Sequence, residues 1–219
     1  MVTKNQLISL IKSVRNNTTK RNFKQSFEVI FTLKDFDFKK QDVTINEVVQ
    51  LPHHSGAAAK FCFICGGDVA LRARKAGIDL VIEAEQLDRF QGNKIEGKRL
   101  SKEYDFFFSD PSLMARVGKA LGQYLGPSGK MPMPVPPSAP IENLVARFRT
   151  STRVRTRNQL AVAAKVGDED LTEEQVADNI LAIYNAVEKK LPQGDKNIRK
   201  VYVKLSMSKP ISMLAGVKE

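Results

Sequence analysis

The 219-residue chain contains no run of about 18 apolar residues, the length a helix needs to cross a bilayer. Its first 17 residues alternate apolar with polar side chains where a secretory signal would carry one continuous apolar stretch, so a soluble cytoplasmic protein is expected. Neither a basic amphipathic helix nor a polybasic run beside an apolar anchor is present, which argues against a membrane surface as partner. Cysteine is scarce, with two residues, Cys62 and Cys65, and histidine is limited to the adjacent pair His53 and His54. The two cysteines form a C-x-x-C. In a strand, however, side chains three apart point to opposite faces, so the pair is poorly placed to chelate one ion or to bond to each other. A zinc site would need both histidines as well. The expectation is two buried structural thiols, with the histidines in a solvated linker, no metal and no cofactor. No nucleophile, base and orienter stand out together, so an enzyme is disfavoured.

Hydrophobic residues make up 42% of the chain and charged ones 27%, an ordinary globular composition, and the length allows one large domain or two small ones. Charge is the first positive signal. The 35 Lys and Arg exceed the 24 Asp and Glu by 11, which points to a polyanionic partner, and nucleic acid fits better than a membrane. Residues 1–60 hold 10 basic and 5 acidic side chains, 61–150 hold 13 and 10, and 151–219 hold 12 and 9, so the two ends carry most of the excess.

Thr3 with Gln6 forms a capping-box pattern ahead of Leu7, Ile8, Ile11 and Val14, predicting a helix that ends near Asn17. Phe27, Val29, Phe31 and Leu33 then alternate with Ser26, Glu28, Ile30 and Thr32, a strand with one mostly polar face. A second strand is expected over 44–51, closed by Pro52, followed by the small, polar linker of 53–59. From Lys60 the pattern changes to compact apolar runs, 61–65, 80–82 and 106–108. Helical stretches near 69–75, 84–90 and 113–125 alternate with them, the signature of a parallel sheet covered on both faces. A Gly- and Pro-rich loop spans 126–140, and a short helix is predicted over 141–149. Beyond Arg153 a strand is expected over 160–166. Thr172 and Gln175 form another capping box ahead of Val176, Ile180, Ile183 and Val187. The last strand sets Val201, Val203 and Leu205 against Tyr202, Lys204 and Ser206. Two helix-plus-strand ends flanking a βαβ-like middle imply an α+β discontinuous domain from both termini, with an inserted α/β unit.

Two glycine motifs invite a nucleotide reading. Gly66 and Gly67 lie between a strand and a helix, but the full G-x-G-x-x-G is absent. Residues 126–130 resemble part of a P-loop, yet Tyr124 stands where the first Gly belongs and Met131 where the metal-binding hydroxyl belongs, so this loop points to phosphate contact without hydrolysis. A nucleotide-binding α/β enzyme using the Gly66–Gly67 turn is the alternative carried forward. The stronger signal is the polar face of the terminal strands. Ser26, Glu28, Lys204, Ser206 and Met207 share it if those strands lie together, beside Lys20, Arg21, Lys24 and Lys209. Cations would attract phosphates, while hydroxyls and a carboxylate can read 2′-hydroxyls and base edges. An ordinary solvated sheet face is the competing explanation, and a free translational regulator or RNA chaperone could use the same surface.

The stretch from Gly118 through Leu121, Gly122, Leu125, Gly126, Pro127, Ser128, Gly129 and Lys130 to Pro134 resembles the signature of the ribosomal protein L1 family, in a style similar to archaeal members. Matches bracket it at 21–26, 46–53, 166–170, 177–180 and 201–204. The resemblance implies a two-domain protein, with residues 1–57 and 153–219 forming an rRNA-binding domain and 58–152 an inserted Rossmann-like three-layer domain that binds no dinucleotide. It implies a non-enzymatic constituent of the large ribosomal subunit, ribosome-associated in the cytoplasm and monomeric off the ribosome. Such a protein forms the mobile stalk near the tRNA exit site and helps deacylated tRNA leave. It also represses translation by binding its own mRNA. The family's rRNA-contacting Phe, hydroxyl and Glu match Phe23, Ser26 and Glu28, and its C-terminal Thr-Met-Gly is matched by Ser206, Met207 and Ser208. Gly permits positive φ, so Ser208 is expected to bring strain or a clash. The hinge falls around Ala57 and Thr152.

Overall fold

The computed structural model describes residues 2–35, 45–54, 58–156 and 159–215. The chain divides into two compact units, residues 1–57 with 150–219, and residues 58–149.

The first unit begins with α1 (Lys4–Asn16), opened by the Thr3–Gln6 capping box, and continues into β1 (Ser26–Leu33) and β2 (Asn46–Gln50). Thr44 and Ala57 lie outside the described residues. The inserted unit runs β3 (Phe61–Ile64), α2 (Asp68–Lys75), β4 (Leu80–Ile82), a 3-10 turn over Ala84–Phe90, α3 (Lys94–Glu103), β5 (Phe106–Ser109), α4 (Met114–Ser128), β6 (Met133–Pro134) and α5 (Ile141–Arg149). The chain then returns with β7 (Ser151–Thr156), β8 (Ala161–Asp168), α6 (Glu173–Glu188), β9 (Ile198–Leu205) and β10 (Ile211–Leu214).

Six antiparallel strands build the sheet of the first unit in the order β10-β9-β1-β8-β7-β2. The alternation read in β1 is realised residue by residue: Phe27, Val29, Phe31 and Leu33 are buried, and Ser26, Glu28, Ile30 and Thr32 half-exposed. The buried set packs with Leu7, Leu10, Ile11 and Val14 of α1 and Val176, Ile180, Ile183 and Val187 of α6, each such side chain contributing about 1.5–3 kcal/mol by leaving water. Both helices thus cover one face and leave the other to function. The chain returns to the first unit between Arg149 and Thr150, and Thr152 stands in its ladder opposite Val49.

The inserted unit is a parallel sheet in the order β4-β3-β5-β6. Cys62, Ile64 and Phe107 face Leu121, Tyr124 and Leu125 of α4 and Leu100 of α3. The rings of Phe106 and Phe108 on the opposite face meet Phe148 of α5 edge-on at 5.2 and 5.1 Å. Helix α3 is absent from the sequence reading, since only Gly97, Leu100 and Ser101 are buried in its ten residues and the apolar period is lost. Gly97 is required there by close packing: a Cβ would stand 2.3 Å from Cδ2 of Tyr124. Gly97→Ala should therefore destabilise this unit by about 1–3 kcal/mol despite the higher helix propensity of Ala, visible as a lowered melting transition in calorimetry.

Candidate RNA-binding face

Strand β1 lies between β9 and β8, and its N-terminal end is where the candidate residues gather. Glu28 is directly opposite Lys204 on β9 and Lys165 on β8. The Lys204 Nζ stands 3.4 Å from Glu28 Oε2 and donates to the Ser206 carbonyl at 3.3 Å. The Ser26 amide donates to Ser206 Oγ at 3.1 Å, closing the end of the sheet. Serine at 206 therefore uses its hydroxyl for the ladder as well as presenting it at the surface. Lys165 escaped the sequence reading, although the alternation of β8 already places it on the polar face.

Leu205 to Ser208 form a tight turn, with the Ser208 amide donating to the Leu205 carbonyl at 3.0 Å. Ser208 Oγ accepts from the Leu205 amide at 2.8 Å. The strain expected of a serine at 208 is not found: Asp35 is the non-glycine residue with positive φ among the described residues, and the Ser208 hydroxyl reinforces the turn. The turn lifts Met207 out of the sheet, 61% exposed, while Phe23 is 51% exposed. Two large apolar side chains held in water beside cations form a surface suited to sugar and base faces.

Gln25, missed in the sequence, is the buried link. It is 0% exposed, its Oε1 accepts from the Met207 amide at 3.1 Å, and its Nε2 donates to Glu169 Oε1 at 3.0 Å. The Glu169 amide in turn donates to the Gln25 carbonyl at 3.2 Å. Nothing local reveals this, because the partners lie 182 and 144 positions away.

The cations divide into two kinds. Lys20, Arg21 and Lys209 are exposed and make no ion pair among the described residues. Lys24 instead donates to Asp170, and that hydrogen bond, followed by the charge of the same carboxylate, holds its ammonium above the usual lysine value.

Three other expectations change. His53 is not part of a solvated linker. Its backbone exchanges hydrogen bonds with the buried Asn179 side chain at 3.0 and 3.1 Å, and its Nε2 faces Asp178 at 3.5 Å; His54 is exposed. The 126–130 segment is no phosphate loop, since α4 runs on to Ser128 and Gly129 ends it at φ 68. Lys130 Nζ then donates to the carbonyls of Ser101 and Tyr104 at 3.0 and 2.7 Å, capping α3. The Gly66–Gly67 turn opens α2 with Asp68 in its first turn. Cys65 beside it is pushed up to about 11 by burial and then by the Asp110 and Glu83 carboxylates. Glu83 is paired with Arg74 at 2.7 Å, which leaves the Asp110 carboxylate at the strand ends and Asp68 in the turn to disfavour the phosphates a nucleotide would bring there. Both cysteines are buried and unpaired, and burial pushes the Cys62 thiol up as well.

The pattern of the Ribosomal protein L1p/L10e family matches residues 14–209, which takes in β1, the turn bearing Met207 and the whole inserted unit. The chain belongs to this family. It is 45% identical to the large ribosomal subunit protein uL1 of Cenarchaeum symbiosum over 94% of this chain and 95% of that one. It is 43% identical to that of Thermofilum pendens over 89% and 86%, and 39% identical to that of Methanocaldococcus jannaschii over 94% of each. This L1-family chain is thus a structural, non-enzymatic ribosomal protein, and the relatives it matches are proteins of the large ribosomal subunit. No described helix is long and apolar enough to cross a membrane.

Proposed function

We propose that the face formed by Phe23, Ser26, Glu28, Lys204, Ser206, Met207 and Ser208 grips a structured element of large-subunit rRNA. On this reading Lys20, Arg21 and Lys209 supply phosphate attraction. The protein then acts as the mobile stalk near the tRNA exit site, where exit-site tRNA is its second RNA partner and release of the deacylated tRNA its task. The segments around Ala57 and Thr152 serve as the hinge. The same face binds a mimic of the rRNA element in the protein's own mRNA and represses its translation, and off the ribosome the protein is a monomer. The observation that carries the rRNA reading is Met207: an exposed, unbranched apolar side chain held out of the sheet by a turn that Gln25 and Ser208 both fix.

Binding to an rRNA fragment bearing the stalk-base element, against an unrelated duplex of equal length across a salt series, tests the reading. Counterion release is indifferent to sequence, so a cognate preference of several kcal/mol surviving at high salt supports it, and parallel collapse of both affinities refutes it. Arg21→Ala should weaken both RNAs alike and lower the salt slope by about one. Repression is tested separately by translation of the protein's own mRNA in vitro with added protein.

A further inference from the structure

Acidic side chains are unexpected beside a surface that attracts phosphate, yet Asp168, Glu169 and Asp170 lie against the end of β1, where Ser26 pairs with Asp168. Strand order sets the geometry. Ser26 is central, the Met207 turn flanks it on the β9 side, and the acidic turn flanks it on the β8 side.

The acidic turn is built into the fold. The register between β1 and β8 shifts between Phe27 and Glu28, and at this bulge Val166, Gly167 and Asp168 are all buried in succession. Asp168 Oδ1 accepts from the Asp170 amide at 3.3 Å, and the Leu171 amide donates to the Asp168 carbonyl at 3.3 Å. Gln25 holds Glu169 by side chain and backbone. Arg15, from the end of α1, donates to the Leu171 carbonyl and, at 3.4 Å, to that of Glu169. What this scaffold presents is the Asp170 carboxylate, 66% exposed, paired with Lys24, 58% exposed. An ion pair that open to water adds little to stability, so stability gives little reason for so fixed a carboxylate.

We propose that Asp170 is a specificity-determining residue of the RNA face. Resting on the reading of that face as the rRNA site, it withholds Lys24 from phosphates in general and offers its remaining acceptor positions to a 2′-hydroxyl or base amino group that only the cognate RNA brings there. A carboxylate accepts hydrogen bonds from such donors and repels a phosphate, so it discriminates between a shaped RNA surface and a bare polyanion. Cognate RNA binds with the Lys24–Asp170 pair in place, whereas a generic duplex approaching the same face meets a negative charge and one fewer available cation.

The test is Asp170→Asn in the full chain, with the stalk-base rRNA fragment and the unrelated duplex as probes. The substitution keeps the shape and removes the charge at an exposed position, and an unchanged melting temperature verifies the fold. The expected result is that the unrelated duplex binds about threefold tighter or more, with a salt slope steeper by about one as Lys24 becomes available, while cognate affinity stays within about twofold or falls. Equal tightening toward both RNAs would overturn the proposal by making Asp170 a plain competitor for Lys24. Unchanged affinity for both would overturn it by placing Asp170 off the path of RNA. A wild-type protein that shows no cognate preference in the same titration would instead refute the site itself, so the two failures are distinguishable.

Discussion

Met207→Ala should cost the cognate rRNA fragment about tenfold in affinity and leave the unrelated duplex nearly unchanged. The side chain is 61% exposed in the unbound protein, so its truncation removes little from the folded state. Burying a methionine fully is worth about 1.5–3 kcal/mol, and alanine forfeits most of that while keeping the turn, which is held by backbone and by the side chains of Gln25 and Ser208. Generic binding runs on phosphate contacts and has no use for an apolar side chain. Filter binding or fluorescence anisotropy with both RNAs at one salt concentration reads the difference. Equal losses on the two RNAs would remove Met207 from the recognition site.

Gln25→Leu should produce a double effect, on stability and on cognate binding, although no surface atom is lost. Leucine fills a similar volume but leaves the Met207 amide without its acceptor and Glu169 without its donor. Unpaired polar groups cost about 1–3 kcal/mol each where water cannot reach them, but Met207 is exposed and Glu169 partly so, and a fall of about 1–2 kcal/mol in urea unfolding is expected. Both flanking turns keep their backbone ties but lose the side chain that joins them, so cognate affinity should fall about as far as in Met207→Ala. Gln25→Glu separates the two roles. It restores an acceptor for Met207 and sets two carboxylates against each other at position 169, so the Met207 turn should be kept while the Glu169 turn is loosened, and cognate affinity should fall less than in Gln25→Leu. A Gln25→Leu protein that unfolds and binds like wild type would show that the two turns stand without their link.

Much of this molecule is legible in one dimension because local physics decides it. The capping boxes at Thr3 and Thr172 hold in the structure, the period-two alternation of β1 and β9 selects which side chains are buried, and Ile141–Arg149 is a helix as read. The signature around Gly126–Pro134 identified the family because close packing demands those residues: Lys130 caps α3, and the Ser128 hydroxyl reaches Ser101 at 2.9 Å. Elements with weak local signals were lost. Helix α3 buries too few side chains to show a period, β7 carries Arg153 and Arg155, and β10 buries neither of its faces fully.

The sequence by itself determined the class of molecule, the charge that draws it to RNA, and the hydroxyls, Glu28 and Met207 of its polar face, since each depends on neighbours a few residues away. Tertiary structure alone decided which cations are available. Lys24 and Arg21 are indistinguishable along the chain, but the fold brings Asp170 from 146 positions away onto Lys24 and brings no carboxylate onto Arg21 among the described residues. It also buried Gln25 between the two turns that flank Ser26. Pairings of that range follow from strand order and register, which are set by the packing of the whole sheet, and no window of sequence contains them.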